Sequence, residues 1–315
     1  MFKIVLPGGS GHLGSLLAHH FQRSGDEVVI LSRTPRPAPW PMVRWERAAQ
    51  ELEGADAVIN LVGRSVDCRY NERNRREILT SRVDSVHALG DAIRQCSTPP
   101  RVWLQSSTAT IYQHRYDAPN DEHTGILGGD ERDVPETWRF SIDVATAWER
   151  AFDAQVTPAT RKVTMRTAVV LDASQGGAFS PLVKLVRTGL GGRQGDGRQF
   201  VSWIHGDDFV RAIRFLLERD DLSGIVNVAA PHPLPNAAFM RGFREACGRR
   251  LGLPAPAWLL ALGAFFVRTE SELLLKSRRV VPARLMEAGF TFDYPEWSEA
   301  ARNLCSRWRG DGVRY

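Results

Sequence analysis

No two cysteines stand close enough to read as a metal or disulfide motif. Cys68, Cys96, Cys247 and Cys305 are spread through 315 residues without a CxxC pair. This argues against a zinc site and a disulfide framework, and it suits a reducing compartment. Long apolar runs are also missing. The longest, Ala257 to Val267, is well short of the roughly 20 residues that span a bilayer, so a buried or partner-facing helix is expected and membrane attachment is not. No basic stretch leads into a longer apolar one with a small-residue cleavage site, so no signal peptide is expected and a cytoplasmic location is. The net charge is +5, but the arginines are scattered among acids, apart from short clusters such as RNRR at 73–76. A basic total without a basic face gives no reason to expect a nucleic-acid partner. There is no internal repeat and no low-complexity tract. What remains is an ordinary globular composition, 43% apolar and 24% charged, long enough for one large domain or two lobes sharing an interface.

Strand and helix signals alternate through the first half. FKIVL (2–6) reads as a strand, and Leu13, Leu16, Leu17 and Phe21 then recur at helical spacing before Gly25. EVVILS (27–32), PMVRW (41–45), ADAVINLVG (55–63), VWLQSS (102–107) and KVTMRTAVVL (162–171) read as further strands. Helical stretches cover about 71–94 and 138–154. Strands separated by helices predict parallel βαβ units and a doubly wound sheet. The Pro-, Asp- and Gly-rich loop at 113–137 is expected to lie over a functional edge. Beyond residue 172 a glycine-rich loop, GLGGRQGDGRQ (189–199), precedes FVSWIHGDD and a helix, and the tail from about Pro233 is mostly helical in pattern. The expected architecture is α/β: a Rossmann-like doubly wound parallel sheet over 1–172, with a smaller C-terminal substrate lobe over 173–315.

The opening stretch, MFKIVLPGGSGHLG, runs a strand straight into a glycine turn. Gly8, Gly11 and Gly14 give G-x-x-G-x-x-G ahead of an amphipathic helix. The first two allow a tight turn and bring backbone N–H groups close to a pyrophosphate, and the third lets the helix pack on the sheet. The phosphate then meets the helix N-terminus, where free N–H groups and the helix dipole favour negative charge. The second strand ends about 20 residues later in LSRTP, in keeping with a dinucleotide fingerprint. An NAD site would usually place Asp or Glu there, but this chain has Ser32 and Arg33. A planar guanidinium suits a 2′-phosphate, so NADP(H) is the expected cofactor.

These residues resemble the extended short-chain dehydrogenase/reductase superfamily, and within it the atypical "epimerase family protein" branch. The resemblance covers nearly the whole chain. It rests on GGSGHLG, LSRTP, DAVINLVG (56–63), SR at 81–82, SSTATIY (106–112), GLGGRQGDGRQFVSWIHGDD (189–208) and SRRVVPARLMEAGFTF (277–292). It implies a Rossmann-like fold, NADP(H) binding, a substrate cleft between the lobes and a family-specific C-terminal domain over about 268–315. Carried over residue by residue, Gly8, Gly11, His12 and Leu13 would line the pyrophosphate, with Gly14 packing behind. Arg33 would meet the 2′-phosphate, and Leu61, Val62 and Gly63 would pass beside ribose and adenine. Thr108 falls where extended members keep a catalytic Ser or Thr. Arg82 takes the place of a usual Asn and could bind an anionic substrate group or a cofactor phosphate, or pair with an acid.

The family's usual proton donor is a Tyr with a Lys four residues later, whose ammonium favours the phenolate. No Tyr-x-x-x-Lys occurs among Tyr70, Tyr112, Tyr116, Tyr294 and Tyr315. Aligned on Glu149, the helix FSIDVATAWERAF puts Ser141 at the Tyr position and Ala145 at the Lys position. Tyr112 is a replacement candidate, with packing under the loop as its alternative. His205 reads as a positional residue and Asp207 and Asp208 as a helix start. The Arg that grips sugar-nucleotide phosphates four residues before this His is Val201 here, which makes a UDP-sugar substrate unlike this site; Arg193 and Arg198 could substitute. The resulting expectation is an NADP(H)-binding oxidoreductase-like protein acting on an unidentified small molecule, with Thr108 and Tyr112 as the catalytic pair, no metal, and a monomeric or homodimeric state. The alternative, which the missing Tyr/Lys pair supports, is a non-catalytic NADP(H)-binding redox sensor or regulator; some relatives in the branch carry names suggesting a part in cell division.

Overall fold

A computed structural model describes residues 1–132, 134–174, 176–255 and 275–308. The apolar run at 257–267 lies outside the described residues.

Seven parallel strands form the central sheet: β1 (Lys3–Pro7), β2 (Glu27–Leu31), β3 (Met42–Val43), β4 (Ala57–Asn60), β5 (Val102–Thr108), β6 (Arg161–Thr167) and β10 (Gly224–Val228). Their spatial order is β10-β6-β5-β4-β1-β2-β3. β1, β2 and β4 are nearly continuous apolar runs because helices cover both faces of the sheet. On one face α1 (His12–Arg23) and α6 (Gly206–Glu218) pack over Ile4, Leu6, Ile30, Ile59 and Leu104. On the other, α2 (Ala48–Leu52), α3 (Glu72–Gln95) and α4 (Glu136–Asp153) pack over Val5, Val58 and Trp103. Strand order reverses between β1 and β4, and ligands in open α/β sheets bind outside the carboxyl ends of strands at such a switch point.

The expected strand at 162–171 is two strands. It breaks at Ala168, and β7 (Val169–Leu171) leaves the sheet to pair with β9 (Trp203–His205). The boundary expected at 172 does not divide the sheet either. The chain returns through β10, unforeseen in sequence, which pairs with β6 from Gly224↔Val163 to Val228↔Thr167. The second lobe has its own core: Phe179 and Val183 of α5 (Phe179–Arg187), Phe239 and Phe243 of α7 (Asn236–Ala246), and Trp297 and Leu304 of α9 (Trp297–Arg307). A short helix, α8 (Ala283–Glu287), and the antiparallel pair β8 (Phe200–Val201) and β11 (Leu234–Pro235) complete it. The loop after Tyr112 is pinned by the 276–281 segment, since Asn120 N–H donates to the Arg279 carbonyl (2.6 Å) and Val281 N–H to the Asn120 carbonyl (3.0 Å).

Candidate functional site

The glycine turn is shaped by close backbone approach. Gly8 sits at φ +75°, and a Cβ there would lie 2.8 Å from Val62 Cα and N, in the chain leaving β4. A Cβ on Gly14 would enter the Gly9 backbone, so α1 rests directly on the turn. Gly11 caps α1 with no side-chain hydrogen bond, and the first turn holds no acid. Its N–H groups are therefore free to receive an anion. By contrast, Asn71 caps α3 and His205 caps α6 through their side chains.

This turn opens on a cleft of about 1100 Å³ at the strand switch point. Gly8, Gly11, Arg33, Leu61, Val62 and Gly63 line it, as expected from sequence. Arg36, unforeseen, joins Arg33, and its Nη2 donates to the Ser10 carbonyl (3.3 Å). Both guanidiniums are exposed, whereas Ser32 is buried and accepts at Oγ from Thr34 N–H (3.2 Å). The opposite wall is one face of α3, with Glu77, Thr80, Ser81, Asp84, Ser85 and Ala88 at helical spacing. That run of short polar side chains was the available signal. Arg64 closes the cleft edge, bonded to Glu77 and to Asn74 Oδ1 (2.7 Å), and Arg64 N–H donates to Ser81 Oγ (3.0 Å).

The remaining expected site residues lie off this cleft. The His12 ring turns to the second lobe, where its Nε2 is 3.9 Å from Asp172 Oδ2 beneath Gly177. Leu13 packs on the sheet core. Arg82 lies behind Gly63, donating through Nη1 to the carbonyls of Ile78 (2.9 Å) and Arg64 (3.1 Å) with its face on Trp148. Burial draws its guanidinium down to about 10, still cationic at neutral pH, and among the described residues no carboxylate pairs with it. It braces the loop after β4.

Thr108 ends β5, and its Oγ1 accepts from Thr110 N–H (3.1 Å), which leaves its own O–H available as a donor. Tyr112 does not join it. Its ring is 2% exposed, and its hydroxyl donates to Asn227 Oδ1 (3.0 Å), with the Asp121 carbonyl at 3.2 Å. Burial pushes the phenol above its ordinary value, against the Arg166 charge beside it. In this arrangement Tyr112 takes the packed placement named as its alternative. Ala145, at the Lys position, is 1% exposed in an apolar cluster with Ala109, Ile111, Tyr112, Ala168, Ala229 and Val280. Beneath that cluster Arg166 clamps Glu149 through Nε (2.9 Å) and Nη2 (2.7 Å), and Ser107 Oγ donates to the same carboxylate (2.5 Å).

His205 has the positional role expected of it. Its Nδ1 accepts from Asp207 N–H (3.0 Å), its Nε2 faces Asn303 Oδ1 (3.2 Å), and its ring stacks on Tyr294. Asp208 anchors the lobe by accepting from the N–H groups of Asp293 (2.8 Å) and Tyr294 (2.9 Å). Among the described residues no cluster of His, Cys, Asp or Glu could hold a metal, and no helix is long and apolar enough to cross a membrane.

A parallel sheet that delivers an uncapped, glycine-led helix start to a cleft beside two exposed guanidiniums is the architecture of a nucleotide-binding α/β protein. Comparison with known proteins places it more narrowly. The chain belongs to the NAD dependent epimerase/dehydratase family, whose model matches residues 4–133, and a domain of unknown function (DUF1731) matches 255–304, starting ahead of the boundary expected near 268. The human epimerase family protein SDR39U1 is 32% identical over 306 residues, spanning 96% of this chain and 99% of the human one. YfhF of Bacillus subtilis, another epimerase family protein, is 31% identical over 311 residues, spanning 96% and 97%. The crystal structure of human SDR39U1 (isoform 2) with NADPH superposes with a TM-score of 0.84 at 31% identity, covering 96% of this chain and 99% of that one.

Proposed function

We propose that the chain binds NADP(H) in the β1–β4 cleft and acts as an oxidoreductase on a small molecule held between the lobes. The observation that carries this is the pair Arg33 and Arg36 after β2, where an NAD site would place a carboxylate. The glycine turn and the α1 N-terminus would hold the pyrophosphate, the two guanidiniums the 2′-phosphate, and Leu61 to Gly63 the ribose and adenine. When bound, NADPH supplies a hydride. Thr108, with its O–H free, would orient the substrate oxygen, and water would deliver the proton, because the Tyr112 hydroxyl is bonded elsewhere.

A second reading, a non-catalytic NADP(H)-binding regulator, is favoured by the apolar cluster around Ala145, which closes the position of the family's usual lysine. Calorimetric titration with NADPH, NADP, NADH and NAD tests what both readings share; no dinucleotide binding overturns both. Single-turnover oxidation of bound NADPH by a panel of carbonyl compounds then separates them. Turnover that is lost in Thr108→Ala with binding retained supports the oxidoreductase. A partner that binds only one redox form, without turnover, supports the regulator.

A further inference from the structure

Cys247 and Cys305, isolated in sequence, meet in the second lobe. Cys247 caps the C-terminus of α7, and Cys305 lies near the end of α9. Their Sγ atoms are 2.6 Å apart, against about 2.05 Å in a disulfide. Helix packing holds them there: Phe239 stacks on Trp297 at 4.1 Å, Phe243 meets the same ring edge-on at 5.7 Å, and Leu304 is fully buried alongside. Both thiols are only half-buried, within reach of a small reagent.

We propose that Cys247 and Cys305 form a dithiol oxidation site that takes a low-molecular-weight disulfide as co-reactant and closes into a disulfide tying α7 to α9. The two sulfurs share one hydrogen bond, which either thiol can donate. That bond, helped by the charges of Arg187 and Arg249, lowers the Cys247 thiol below its ordinary value and raises that of Cys305. Cys247 is therefore the attacking thiolate. It displaces one half of the small disulfide as a thiolate and forms a mixed disulfide. Cys305 then gives its proton to solvent and displaces the second half from the Cys247 sulfur. Two protein thiols are oxidised and one disulfide is reduced to two thiols. The closed loop contains the segment that pins the substrate side: Lys276 Nζ donates to the Thr110 carbonyl (2.6 Å) and Ser277 Oγ to the Arg115 carbonyl (3.1 Å). Oxidation ties together the two ends of the 247–305 stretch that carries these bonds.

The test incubates the full chain, folded, with oxidised glutathione, then alkylates it and maps peptides by mass spectrometry. Free thiols should fall from four to two, with Cys247 and Cys305 cross-linked, Cys68 and Cys96 alkylated, and dithiothreitol reversing the change. Cys305→Ser should stop at a mixed disulfide on Cys247, with its fold checked by circular dichroism. The proposal is overturned if the folded wild type keeps all four thiols while the denatured chain loses them. It is equally overturned if glutathione accumulates on both cysteines without a cross-link.

Discussion

Replacing Arg33 with Ala should weaken NADPH binding and leave NADH binding nearly untouched. Arg33 and Arg36 are both exposed on the cleft wall, and Arg36 is steadied by the Ser10 carbonyl. A hydrogen bond to a charged group contributes about 1.5–3 kcal/mol. Exposure and screening bring the expectation for one exposed guanidinium down to about 1–2 kcal/mol. Since about 1.4 kcal/mol is tenfold in affinity, the NADPH Kd should rise about 5- to 30-fold in Arg33→Ala. NADH, with no 2′-phosphate, should change less than about 2-fold by the same conversion. The preference for NADPH over NADH should also shrink as salt is raised, because the Debye length falls from about 10 Å at 0.1 M to about 3 Å at 1 M. Isothermal titration of both cofactors at two salt concentrations measures all of this. An equal loss for both would mean that Arg33 maintains the cleft and does not read a phosphate, and an unchanged preference would remove the 2′-phosphate from this wall.

Two further substitutions test the reaction end and the second lobe. Tyr112→Phe should cost about 1–2 kcal/mol in urea unfolding, because Asn227 Oδ1 loses its buried donor, while NADPH binding and turnover persist; turnover abolished at unchanged stability would restore Tyr112 as the acid. Burial lowers the His205 imidazole below its ordinary 6.5, so the unfolded chain takes up the proton first. The stability His205 contributes is thus fully present above pH 6.5 and is lost as pH falls through its lower folded value. His205→Asn, which keeps a helix-capping side chain, should flatten the acid limb of urea midpoint against pH without abolishing it, since burial also lowers His20 and His114. An identical acid limb in the variant would contradict this.

The sheet and the glycine-turn end of the cleft were legible because their signals are local. Strand, turn and helix follow one another within the first 23 residues, whereas the α3 face went unread although its short polar residues recur at helical spacing. What was not legible depends on pairings the sequence does not state. KVTMRTAVVL is one uninterrupted β-prone run, and only the partnership of β7 with β9 divides it. GIVNV is five residues long, and its place beside β6 is decided by the chain's return across the sheet. Tyr112 has the same chemistry whether it faces a substrate or Asn227, 115 positions away. Cys247 and Cys305, separated by 58 positions, become neighbours only when α9 packs on α7.

The apolar cluster at Ala145 makes a last prediction about the missing acid. If the site merely lacked its Tyr and Lys, Ser141→Tyr with Ala145→Lys would supply them. Ala145, however, is 1% exposed and surrounded by Ala109, Ile111, Ala168, Ala229 and Val280, with the Tyr112 ring filling the adjacent space. A lysine there adds three methylenes and an ammonium to a packed core, and the overpacking alone costs about 1–3 kcal/mol. It also buries an ammonium whose carboxylate neighbour one turn along α4, Glu149, is already held by Arg166, so the side chain must compete for that pair, lose its proton or force the cluster apart. Ala145→Lys should therefore lower the unfolding free energy by about 3 kcal/mol or more, whereas Ala145→Ser should lower it by about 1–2 kcal/mol. Urea titration of the two single variants compares them directly. A stable Ala145→Lys whose double variant gains dehydrogenase activity would show that the cluster is a replaceable filling. Destabilisation without activity would mean that the packing here was built around Tyr112, and that any proton in this protein's chemistry reaches the substrate by a route other than the α4 face.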